Sequence, residues 1–506
     1  MRLFPFLRIG TVIFALSIVT LAPQTHAGKK DDTMTLAYHV QITTVDKYFE
    51  TTRIGTWIQH MGWDFLLNID RATGKIVPAL ATSWKYINDK TIELELRKGV
   101  KFHSGKEMTA DDVVYTINSI VKHPKAVRNM IHWIDHAEKL GPYKVRIVKN
   151  KIYPAAPHIL AGYISIYPKG CYDKDQEQAM NLHPDGTGPY KIVEVELPKR
   201  VVFVKNDNYY ADSPKGRPSI GKIVFRVIPD INTQVAEVLS GRVDLITNVP
   251  TDVAEDLAKN PNFKVEASAT MRCSYLVMDA AGRSGDTPFK NTKVRQAVAH
   301  AIDRDGIVKN LVRGTSKVLH SPCYPEQFGC TSEVTKYDYN PQKAKKLLAE
   351  AGYPNGFKTK FYSYYERPIC EAMINNLKDV GITTEFQFIQ FAALRSAWRK
   401  GETPIHFTTW GSSSIYDVSA FTPIFFNSDN DDMVHDSEVT KWFKAGDSSV
   451  DPQVRLENYN KAFKKIADQA YWLPMYTVNT NYLYSKDLDF KPTADELPQF
   501  YNTRWK

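Results

Sequence analysis

Short alternating and periodic runs of apolar positions divide this chain into a mixed sequence of strands and helices. Met34 to His39 and the cleanly alternating Ile92-Glu-Leu-Glu-Leu96 predict strands. The Lys98-Gly99 turn, Val100 to His103 and the Ser104-Gly105-Lys106 turn predict a hairpin beside the second of these. Ile54 to Leu67 is helix-compatible. Thr109-Ala-Asp-Asp112 predicts a helix start in which Thr109 caps and Asp112 answers from the third position, with Val113, Ile117 and Ile120 on one face. From Gly186-Thr-Gly188-Pro-Tyr190 onward the texture turns to strands, including Val201–Val204, Ile223–Ile228 and a turn at Gly241–Asp244. Beyond about Phe289 helices dominate, at 292–304, 340–352 and 455–470, with strands at 358–364 and 383–390 between them. No fixed-period repeat, low-complexity tract or flexible linker interrupts the series, so compact lobes with short crossings fit best.

At 506 residues the chain exceeds one core, and two to four domains are expected. A net charge of +9 is spread without blocks of like sign, so it argues only weakly for nucleic-acid or membrane binding, and a mildly basic surface is the plainer reading. The first residues differ from the rest. Arg2 and Arg8 precede an apolar run from Ile9 to Ala22, and Thr25-His-Ala27 supplies small residues ahead of Gly28. That run is shorter than the roughly 20 residues of a spanning helix, so residues 1–27 are expected to be a cleaved signal peptide, and the mature chain to be periplasmic.

Export puts the five cysteines in an oxidising compartment. Cys323 and Cys330 form a candidate disulfide loop, worth about 2.5 kcal/mol by chain entropy. Free thiols are the alternative, and the pairing of Cys171, Cys273 and Cys370 is open. No zinc spacing, metalloprotease helix, nucleophile elbow, phosphate loop or dinucleotide fingerprint is present. Neither a cofactor nor enzymatic catalysis is therefore expected, although paired carboxylates brought together from distant segments would leave no such signature.

Several runs together resemble the family 5 extracellular solute-binding proteins of ABC importers. They are Pro78–Trp84, Leu94–Gly105 with Thr109–Val113, Gly186–Tyr190, Pro288–Ala297 through Arg304, and Tyr339–Tyr353, in family order. The resemblance implies an α/β, two-lobe periplasmic-binding-protein fold (type II, cluster C-like) with an inserted domain and a hinge of two crossings. It places one discontinuous domain at 28–58, 187–268 and 477–506, an inserted domain at 59–186 and the second lobe at 269–476. It also implies a short peptide or peptide-like ligand and permease subunits in the inner membrane as partners, with no nucleic acid, and a monomer. A receptor for an opine, sugar conjugate or nickel chelate is the alternative within the resemblance. A secreted hydrolase is a third reading.

By the same resemblance, Arg367 in Tyr364-Tyr-Glu-Arg-Pro368 is the candidate clamp for a ligand carboxylate. Asp417, in Trp410-Gly-Ser-Ser-Ser-Ile-Tyr-Asp417, is the candidate for a ligand ammonium, although Val418 stands where relatives usually carry Pro. Loop roles are the rivals for both. Trp410 and Tyr416 would cover an apolar or sugar-like part of the ligand, with buried core aromatics the alternative, and Ser412, Ser413 and Ser414 would donate hydrogen bonds or merely form a turn. Cys273 and Tyr275 share one face of a predicted ligand-pairing strand, with Arg272 and Ser274 on the other. The alternation leaves open which face meets the cleft.

Overall fold

The computed structural model describes residues 28–71, 73–127 and 130–506, so the predicted signal peptide lies outside the described residues. A ten-stranded mixed sheet runs through the molecule in the order 382–388, 357–363, 405–410, 263–278, 472–485, 245–246, 33–38, 222–227, 200–205 and 190–196. Its two central strands, Phe263–Met278 and Trp472–Ser485, are antiparallel and long enough to serve both lobes. The first part of one, Phe263 to Ala269, pairs with Asn479 to Ser485 beside the first lobe's strands. Its last part, Cys273 to Met278, pairs with Ile405 to Trp410 in the second lobe. The ladder between the two long strands loses register between Ala269 and Cys273 and again before Tyr275. An irregular ladder twists more strongly, and here it sits where the chain passes between lobes.

The segment 81–149 folds a separate four-stranded antiparallel sheet, covered by the helix Ala110–Lys122. The predicted cap is present: Thr109 N donates to Asp112 Oδ2 at 2.8 Å, and Val113, Ile117 and Ile120 are fully buried. Asp112 also receives Lys106 Nζ at 2.7 Å and Lys169 N at 2.8 Å, tying two loops to the helix start. The predicted hairpin closes about its second turn, Ser104-Gly105-Lys106, where an antiparallel bridge joins Lys101 to Glu107. Ile92–Leu96 pairs with the strands 81–88 and 144–149, not with Val100–His103. The latter instead opens a tight loop closed by Phe102 N to Lys106 O at 2.8 Å. Gly186 and Gly188 lie against the end of the helix Arg53–Gly62, where a Cβ would meet the Gly62 backbone at 2.0 and 2.5 Å. Only glycine allows that approach.

The second lobe has its own apolar core, built from Leu276, Val294, Phe361, Met373 and Phe407 among others. His406 is wholly buried on the same strand as Phe407, its ring 4.4 Å from Trp398. Burial, aided by Arg395, pushes its pKa down to about 3. The unfolded imidazole takes its proton near 6.5, so stability should be complete above that pH and fall as acid is added. At pH 4.5 the loss is about 3 kcal/mol. In urea melts at pH 7 and 4.5, the stability lost on acidification should be about 3 kcal/mol smaller in His406→Gln than in the wild type.

Candidate functional site

Between the lobes lies a cavity of about 220 Å³, lined from the first lobe by Lys47, Glu50, Arg53 and Tyr163, and from the second by Arg272 and Ser413. Arg53 enters from the first turn of the helix Arg53–Gly62, which Thr52 caps. Its guanidinium donates to Ser414 Oγ at 2.7 Å and pairs with Glu496 at 2.9 Å, a residue of the C-terminal tail. Ser414 Oγ in turn donates to the Asp495 carbonyl at 2.6 Å, and Tyr163 Oη donates to the Ser413 carbonyl. These contacts cross the cleft, so the lobes are closed on one another.

Ser412, Ser413 and Ser414 all occupy the left-handed region, with φ of 47°, 49° and 60°. Non-glycine residues held there cost about 1 kcal/mol or more each. The turn is gripped from the opposite lobe by Arg53 and Tyr163, which bond to it directly.

The charges of the cavity are unevenly satisfied. Lys47 and Glu50 form a buried pair at 3.0 Å, and Glu50 also accepts from Thr52 N at 2.7 Å. Arg53 and Glu496 neutralise each other. Among the described residues Arg272 has no such partner: the nearest carboxylate is Glu496, already shared, at 3.9 Å. Its side chain lies alongside Gly411 and remains 35% exposed. A planar cation with free donors, facing an enclosed space, is suited to a carboxylate brought in by a ligand.

Most of the expected site residues lie away from this cavity. Arg367 does not line the cavity. It is the first residue of the helix Arg367–Asp379, its side chain is 54% exposed, and its guanidinium lies over Phe386 and Phe388 with Glu371 at 3.4 Å. Asp417 is not available to an ammonium group. It is 2% exposed, accepts from Ser419 N at 3.0 Å and Ser419 Oγ at 2.7 Å, and is paired with buried Arg455 at 2.6 Å. Cys273 and Tyr275 occupy the buried face of their strand, with Tyr275 5.0 Å from the Trp472 ring, while Arg272 takes the cleft face. Tyr416 is buried and lines a separate groove with Arg71 and Glu326. Ser412 is buried too, and Trp410 is half-buried, edge-on to Phe425 at 5.2 Å. Of the candidates singled out in the sequence, Ser413 lines the cavity. Arg53, Tyr163 and Glu496 were missed, because no periodicity or motif marks residues brought together from three distant segments.

Cys323 and Cys330 are joined in a disulfide, while Cys171, Cys273 and Cys370 are free. The small loop they close zips onto the segment behind the serine turn. Phe328 N donates to the Tyr416 carbonyl at 2.9 Å, Val418 N to the Phe328 carbonyl at 3.1 Å, and Gln327 Nε2 to the Ile415 carbonyl at 2.8 Å.

Comparison with known proteins agrees with this architecture. Residues 75–432 match the family model described as bacterial extracellular solute-binding proteins, family 5 Middle. Heme-binding protein A of Haemophilus influenzae is 28% identical over 451 residues, covering 81% of this chain and 80% of that protein. The glutathione-binding protein GsiB of Salmonella paratyphi A is 26% identical over 469 residues, covering 88% and 89%. The structure of HbpA2 from Haemophilus parasuis superposes with a TM-score of 0.82 at 22% identity, covering 94% of this chain and all of that one. No helix among the described residues is long and apolar enough to cross a membrane. With the family model matching well over half its length, this chain belongs to the family 5 extracellular solute-binding proteins.

Proposed function

We propose that this chain is the periplasmic substrate-binding component of an ABC importer, and that it closes its two lobes on a short peptide or peptide-like solute carrying a carboxylate. The observation that carries this reading is the Arg272 guanidinium, the least neutralised charge among the described residues lining the cavity between the lobes. Arg272 takes the clamping role expected of Arg367. At about 220 Å³ the cavity lies below the roughly 300–1,000 Å³ of sites for drug-sized ligands, which suits two or three residues at most. A glutathione-binding relative is consistent with a peptide-like ligand that carries carboxylates. Binding would draw an open ensemble toward the closed arrangement. The chain acts by binding and handing over, without catalysis, as a monomer docking on permease subunits in the inner membrane. Removal of residues 1–27 would release it into the periplasm.

Thermal-shift and calorimetric titration with glutathione, acidic and neutral dipeptides, and their C-terminally amidated forms tests this. A neutral dipeptide with a free C-terminal carboxylate should raise the melting temperature, and its amide, which has no carboxylate left, should not. Absence of any stabilising peptide, or conversion of a bound peptide seen by mass spectrometry, would remove the reading.

A further inference from the structure

A second cavity, of about 560 Å³, lies where the inserted sheet's side of the first lobe meets the second lobe, and it shares no lining residue with the cleft cavity. We propose that it binds a small amphiphilic carboxylate, which ties the two lobes together. The floor is apolar. Tyr153 is stacked on Trp133, with centroids 5.5 Å apart and planes 15° from parallel, and Phe426 and Phe443 close the opposite wall at 5.2 Å from each other. The rim is cationic from both sides. Lys90 and Lys151 come from the first lobe and Lys444 from the second.

The acid on the wall does not neutralise them. Asp447 is turned into the second lobe, where Thr422 Oγ1 donates to its two oxygens at 3.0 and 2.8 Å and Tyr459 Oη donates at 2.8 Å. Lys151 feels it only at longer range. Lysines of both lobes therefore rim an apolar hollow. A ligand with an apolar body and one anionic head covers the rings and offsets the positive charge of that rim. Because its site is complete only when the lobes meet, it must favour closure by the same free energy that closure adds to its own binding. This inference stands apart from the peptide reading, since none of these residues touches the cleft cavity.

The test is calorimetric titration with 2-naphthoate and decanoate, with 1-decanol as the neutral control, on the whole mature chain. One saturable site per chain is expected for the carboxylates, with the alcohol at least tenfold weaker. Lys151→Glu combined with Lys444→Glu should weaken the carboxylates at least tenfold. Ser448→Trp, at the cavity mouth, should block them without changing charge. All three positions are exposed, so the fold should survive the changes. Solution scattering should show a smaller radius of gyration with the carboxylate bound. No saturable binding, equal binding of the alcohol, or binding unchanged in both variants would overturn the proposal.

Discussion

Replacing Arg272 with alanine should weaken binding of a carboxylate-bearing peptide by about a hundred- to several-thousand-fold, while Arg367→Ala should leave affinity close to wild type. The magnitude follows from what closure does to the ligand. With the lobes shut, Tyr163 and Arg53 are engaged on the serine turn at the edge of the cavity. A carboxylate left there without a partner keeps its desolvation cost and loses its compensation, a difference of about 3–5 kcal/mol. Arg272→Lys should recover part of this, because one point charge cannot supply two parallel donors. Thermal stability should hardly change in Arg272→Ala, since the side chain is partly exposed and its nearest carboxylate is already held by Arg53. Calorimetry on the three variants, with melts alongside, separates these effects. Wild-type affinity in Arg272→Ala, or a loss confined to Arg367→Ala, would restore the clamp to Arg367.

That exchange of one arginine for another shows where sequence reasoning stops. The fold was legible because its signals are local. The cap at Thr109–Asp112, the glycines opposite Gly62 and the helical face of Val113, Ile117 and Ile120 each act through residues a few positions apart or through steric exclusion. The site is not local. An Arg-Pro pair after a strand marks a helix start, and the first helical position here sends Arg367 over Phe386 and Phe388 rather than inward. Around Cys273 the two-residue period of a strand was readable, but its phase was not. The loss of register after Ala269 sets which side faces the cleft, and nothing in the run itself announces that irregularity. The strand Trp472–Ser485 was not anticipated for a related reason. It is buried on both faces over most of its length, so its residues do not alternate.

Breaking the pair between Asp417 and Arg455 should cost about 3–5 kcal/mol of folding stability in either Asp417→Ala or Arg455→Met, because each leaves an uncompensated buried charge. The two groups are 2% and 7% exposed and 2.6 Å apart, and the Arg455 guanidinium also lies 4.6 Å from the centre of the Phe328 ring in the disulfide loop. Their energies should be far from additive, with the double variant recovering a large share of the loss, since it buries neither charge alone. The pair also holds the segment that carries the serine turn, so both single variants should bind peptides somewhat less tightly. That loss should be the same for a peptide and for its N-acetylated form. An Asp417 that met a ligand ammonium would instead make Asp417→Ala selectively poor with the free-amine peptide. Denaturant melts of the four members of the cycle, and calorimetry with the paired peptides, measure both quantities. Additive losses would mean the pair is not coupled as its geometry requires, and a preference lost only for the free amine would return Asp417 to the ligand.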